Sequence, residues 1–166
     1  MEKALYIAIS VLLIGIAATG LSCASEPGVN IQADSITIGF EDNNLLHLSQ
    51  QFPLFEKISD EAMRIVQSAK IKVGHLNDEE VAAAKCGSKY VQLDFAQPIS
   101  LRDYAEITSA LVLLTKKEPA PGGYGIWGSI EGNILIKSIT PDCPGPFWSQ
   151  AEGNAAGLEE LVKQLR

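Results

Sequence analysis

The sequence predicts an α+β domain: a mostly antiparallel sheet of about five to six strands, covered by two to three helices and preceded by an N-terminal hydrophobic helix. Three observations predict it. Helical periodicity is confined to the first half of the chain and to its last residues. Period-two alternation runs from Tyr90 towards Ile139, with short turns rather than helices between the runs. An apolar, uncharged stretch opens the chain ahead of both. A doubly wound α/β sheet is the weaker alternative, because strict strand–helix alternation fails after Tyr90.

The opening stretch, Ala4 to Leu21, carries no charged residue, and only Ser10 and Thr19 break its apolar character. As a helix it would rise about 27 Å, close to the roughly 30 Å of a bilayer's hydrocarbon core. A helix packed on a soluble domain keeps a polar face, and this one has none. Residues 1–25 therefore read as a signal peptide or membrane anchor, 26–34 as a tether, and 35–166 as a single globular extracytoplasmic domain. Lys3 precedes the apolar run and Glu26 is the first charge after it, so the positive-inside bias places the domain outside the cytoplasm.

Three fates of the segment stay open. Its length favours a retained anchor. The small residues Ser22 and Ala24 permit cleavage before Ser25, leaving a secreted domain. Leu21-Ser22-Cys23 resembles the end of a bacterial-type lipobox, which implies acylation of Cys23; here Gly20 stands at −3, where that pattern carries an aliphatic residue.

Within the domain, Ile36, Ile38 and Phe40 share one face of a short strand, and Glu41 to Asn44 form a turn. Leu45 to Phe55 is apolar without a clean period and stays unassigned. Phe55, Ile58, Ala62, Ile65, Val66 and Ala69 recur at helical spacing, with Pro53 suited to the first turn. Ile71 to Val73 reads as a strand. Asp78 to Cys86 carries a full set of helix signals: Asn77 as N-cap, Glu80 at N3, Leu76 and Val81 as a hydrophobic staple, Lys85 in the last turn and Gly87 at C′.

From Tyr90, Val91, Leu93 and Phe95 point one way and Gln92 and Asp94 the other. Pro98 interrupts before Ile99 to Arg102 resumes, which suggests an edge, a bulge or a bend. Ile107 to Thr115 is nearly all apolar and fits a central strand. Tyr124 to Ile130 and Ile134 to Ile139 flank a tight turn and read as a hairpin. Thr140 to Trp148 holds three prolines and reads as a rigid loop, and Leu158, Leu161, Val162 and Leu165 mark a final amphipathic helix.

Composition narrows function by exclusion. Apolar residues are 46% and charged residues 20% of the 166, which is globular rather than disordered. The net charge of −7, with no cluster of Lys or Arg beyond Lys116-Lys117, argues against nucleic-acid binding. The expected partners are the membrane, through the N-terminal segment, and an envelope protein.

No cofactor or metal signature is present. Cys86, Cys143, His47 and His75 lack ligand spacing. Outside the cytoplasm Cys86 and Cys143 are candidates for a disulfide, worth about 4 kcal/mol in the chain-entropy treatment if geometry permits. Gly128-Ser129-Ile130 lacks a nucleophile elbow, and nothing selects a carboxylate pair.

Trp127, Phe147 and Trp148 are the candidate contact residues, because aromatics on a proline-stiffened loop lose little entropy on binding; in the competing reading Phe147 and Trp148 cap the sheet edge or dock the last helix. The function expected is that of a binding, interaction or scaffolding module held outside the cytoplasm, leaning away from an enzyme. The alternatives are a tethered hydrolase with a carboxylate site and an accessory subunit of a membrane complex.

Overall fold

Period-two alternation gives this domain a sheet with two chemically different faces. The computed structural model describes residues 31–69, 72–101, 105–114, 133–141, 144–150 and 154–166. The N-terminal segment, the loop after Leu114 and the strand expected over Tyr124–Ile130 lie outside the described residues. Ile31–Arg166 forms one compact unit.

The elements follow in the order β1 (Ser35–Gly39), β2 (Leu45–Leu48), α1 (Phe55–Ser68), β3 (Lys72–His75), α2 (Asp78–Lys85), β4 (Tyr90–Leu101), β5 (Ala105–Leu113), β6 (Asn133–Ser138), β7 (Gly145–Gln150) and α3 (Ala156–Lys163). Among the described residues the strands form one sheet in the order β2-β1-β4-β5-β6-β7-β3. Every neighbouring pair is antiparallel. The α+β class is as expected, and the doubly wound alternative is excluded.

Among the described residues the sheet has seven strands where five to six were expected, because two come from segments that sequence read otherwise. Leu45–Leu48, left unassigned, returns from a tight turn in which Asn43 holds φ of 62° and pairs with β1. Gly145–Gln150, read as loop on account of its prolines, is β7, which lies between β6 and β3. Pro146 is tolerated there near the strand's start, and its carbonyl accepts a hydrogen bond from the Leu76 amide at 2.9 Å. Both edges of β6 are therefore taken, by β5 and β7. The break expected at Pro98 is a register shift inside one long strand, with Ala96, Gln97 and Pro98 exposed.

The cross-strand register puts the alternation on one face. Leu48, Ile36, Leu93, Ala110, Ile136 and Phe147 are successive partners from β2 to β7, and all are buried. The next row runs through Ile38, Val91, Val112 and Ile134, again buried. α1 lays Phe55, Ile58, Ala62, Ile65 and Val66 on this face, and α3 adds Leu158 and Val162. Each large aliphatic side chain buried here is worth about 1.5–3 kcal/mol.

α1 has no side-chain cap, and Pro53 precedes its Leu54 N-cap instead of sitting in its first turn, so this buried stripe is what holds the helix. Arg64 pairs with Glu61 at 2.7 Å and donates to the Asn154 carbonyl at 3.0 Å, tying α1 to the start of α3.

α2 lies over the opposite face and is held from its ends. Asn77 Oδ1 accepts from the Glu80 amide and Glu80 Oε2 accepts from the Asn77 amide, each at 2.8 Å, which is the expected capping box. At the other end Gly87, at φ of 63°, donates its amide to Asn43 Oδ1 at 3.0 Å. Between these ends only Ala84 is fully buried.

Gly39 lies opposite Tyr90, whose ring occupies the space a Cβ would fill. Gly39→Ala is expected to destabilise the domain by about 1–3 kcal/mol through overpacking. Combining it with Tyr90→Ala should cost less than the sum of the two changes, read by urea unfolding. Asn77→Ala should cost about 1 kcal/mol in the same measurement, through loss of the α2 cap.

Candidate functional site

Side chains that alternation directs away from the core meet under α2. On this second face Gln92, Leu111 and Trp148 belong to one cross-strand row, and Asp94, Ser109, Lys137 and Pro146 form the next, each registered with its neighbour from β4 to β7. Tyr90, Leu111, Leu113, Leu76 and Ala84 make a small apolar cluster at the side, with Val81 and Trp148 packed against it. α2 bridges the face but is too short and Ala-rich to fill the space it crosses. A cleft of about 270 Å³ remains, walled by Asp78, Val81 and Lys85 and floored by Gln92, Asp94, Ser109, Leu111, Lys137 and Pro146.

Its polar groups are organised. The Lys85 ammonium donates to Gln92 Oε1 at 2.6 Å, and Gln92 Nε2 donates to Asp94 Oδ1 at 2.8 Å. The same ammonium stands 5.7 Å from the centroid of the Tyr90 ring. Burial holds the Lys85 pKa below its ordinary value, and the Asp94 carboxylate partly opposes that shift. Burial likewise pushes the Tyr90 phenol up. Ser109 and Lys137 make no side-chain hydrogen bond or ion pair among the described residues. With strands about 4.8 Å apart, the Asp94 and Lys137 backbones lie about 10 Å apart with Ser109 between them.

Of the residues singled out from sequence, Phe147, Trp148 and Cys86 lie among the described residues, and none of the three lines the cleft. Phe147 is fully buried in the core and offers no contact surface. Its position in β7 follows from its register with Ile136. Trp148 faces the other side, half-buried against the apolar cluster beside the cleft.

Trp127, Cys23 and Cys143 lie outside the described residues, as does Ser129. Cys86 is the exposed C-cap of α2 and borders a shallow recess with Phe40, Asn43 and Tyr90. His47 is exposed on β2, its Nδ1 3.0 Å from Thr37 Oγ1, and His75 is exposed at the end of β3. Among the described residues no three His, Cys, Asp or Glu side chains converge as metal ligands.

Lys85, Asp94, Ser109 and Lys137 were missed because each is unremarkable in its own segment. The available signal was the set of polar positions alternating with apolar ones in three strands, but their convergence needs the register and the helix crossing them. A lysine with a lowered pKa in a cleft marks functional sites and structural networks alike. Compared with protein-family models, with curated proteins and with solved structures, the chain shows no significant match.

The lowered Lys85 pKa has a consequence for stability. Between its value in the fold and the ordinary 10.5, the unfolded chain holds the Lys85 proton and the folded chain has released it. Stability from this residue therefore rises with pH through that window. The difference in unfolding free energy between wild type and Lys85→Met should follow this slope, read by urea titrations at stepped alkaline pH. Groups remote from Lys85 cancel in the difference.

Proposed function

We propose that this chain is a binding module displayed outside the cytoplasm and held at a membrane by its N-terminal segment. One observation carries the binding half: a cleft whose floor brings Asp94, Ser109 and Lys137 into one cross-strand row, with Ser109 and Lys137 uncommitted to the rest of the described protein. Polar groups free of other protein partners beside an apolar cluster are what small-ligand sites use for orientation.

The placement outside the cytoplasm rests on the charge-free stretch from Ala4 to Leu21. Among the described residues no helix is long and apolar enough to cross a membrane. Envelope proteins are the partners this location makes available.

A tethered hydrolase is the second reading, favoured by one feature: Asp78 and Asp94 both line the cleft. The Asp94 carboxylate is already engaged by Gln92 Nε2, so binding is preferred.

Fractionation of cells expressing the full chain, followed by intact-mass measurement, tests the placement. The expected result is a membrane-associated protein digested by protease added from outside. Its mass distinguishes a retained segment, a cut before Ser25, and a chain beginning at an acylated Cys23. An unmodified chain starting at Met1 and confined to the cytosolic fraction would overturn the reading.

A further inference from the structure

We infer that the cleft beneath α2 binds an uncharged polyhydroxylated ligand of about monosaccharide size, a sugar or cyclic polyol. This rests on the reading of the cleft as a binding site and adds the ligand's chemical class. The argument is the distribution of charge. The Leu76 amide bonds the Pro146 carbonyl at 2.9 Å, which brings the start of α2 to β7. Asp78 lies at that start, and Lys137 is registered with Pro146, so the β7 end of the cleft carries one carboxylate and one ammonium. The β4 end carries Lys85 and Asp94, joined through Gln92. Each end is thus of mixed sign, and the Ser109 hydroxyl stands between them.

This pattern selects against charged ligands. A carboxylate or phosphate would meet an aspartate at whichever end it entered, and an ammonium would meet a lysine. A zwitterion needs ends of opposite sign, which the cleft lacks. A hydroxyl both donates and accepts, so a pair of neighbouring hydroxyls satisfies a carboxylate and an ammonium together. Val81 and Leu111 supply an apolar patch for the C–H face of a ring. The volume of about 270 Å³ is at the small end of ligand pockets and suits one ring rather than a chain of them.

The test is an amide NMR titration of the full chain in polyoxyethylene-ether micelles, which carry no sugar headgroup. The probes are D-glucose and myo-inositol as uncharged polyols, L-alanine as a zwitterion and succinate as a dianion. The expected result is saturable shifts of the Gln92, Ser109, Leu111 and Lys137 amides with at least one polyol, at a millimolar dissociation constant, about 1–10 mM.

Lys137→Ala removes an exposed side chain and should leave the unfolding transition in place while weakening the polyol about tenfold or more. Glu106→Ala, exposed on β5 and absent from the cleft lining, should leave affinity unchanged. Saturation by alanine or succinate in preference to both polyols would overturn the ligand class and leave the binding cleft standing. No saturable shift with any probe would remove both, and the membrane placement would stand or fall on its own fractionation result. A polyol whose affinity ignores Lys137→Ala would place its site elsewhere and also overturn the inference.

Discussion

The fold depends on burying one face of the sheet. Leu48, Ile36, Leu93, Ala110, Ile136 and Phe147 lie side by side across six strands, and α1 and α3 close over them. A slip of one residue in any of these strands would carry its whole apolar set to the other side, so the register is strongly specified. That specification is what fixes the second face as well. Once Leu93 and Val91 are committed to the core, Gln92 and Asp94 have only one direction left. The polar row is thus a by-product of the apolar one, and its neighbours on β5 and β6 are chosen by pairing rather than by proximity in sequence.

α2 turns that row into a cleft. A helix with a continuous apolar stripe would have sealed the face, as α1 seals the other. α2 is short, only Ala84 is fully buried, and its stability comes from its ends: the Asn77–Glu80 capping box on one side, and Gly87 held by Asn43 on the other. A helix anchored at both termini can span a surface without filling the space beneath it. Lys85, in its last turn, then reaches down to Gln92 instead of out to solvent, and its partial desolvation follows from that position.

Tyr90 lies on the second face, with Leu111 and Leu113, and ties the β1–β4 pairing to the cleft. Its ring fills the space over Gly39, so two neighbouring strands approach without a side chain from β1 intervening. The same ring lies beside the Lys85 ammonium and walls the recess next to Cys86. One glycine therefore sets the position of an aromatic ring that both packs the sheet and borders the lysine of the cleft.

Much of the fold was legible because its signals are local. The capping box over Asn77 to Glu80 depends on residues three apart, and α1 and α3 on spacings within two turns. The central strand announced itself by a run of apolar residues, and β5 is flanked by strands on both sides, as a central strand must be. β2 and β7 were not legible. Four residues with an irregular period do not distinguish a strand from a turn, and prolines around a strand resemble those of a loop. Phe147 and Trp148, adjacent in sequence, have opposite surroundings for the same reason: alternation is plain only once the segment is known to be a strand.

The sequence by itself determined the α+β class, the apolar opening segment, the acidic balance and the individual helices, since each follows from composition or from neighbours within a few residues. Only the tertiary structure decided that Lys85, Asp94, Ser109 and Lys137 belong to one site. They come from a helix and three strands, and what joins them is a pattern of backbone pairing across the sheet. Such pairing is governed by the summed burial of the opposite face, a quantity that no single segment carries.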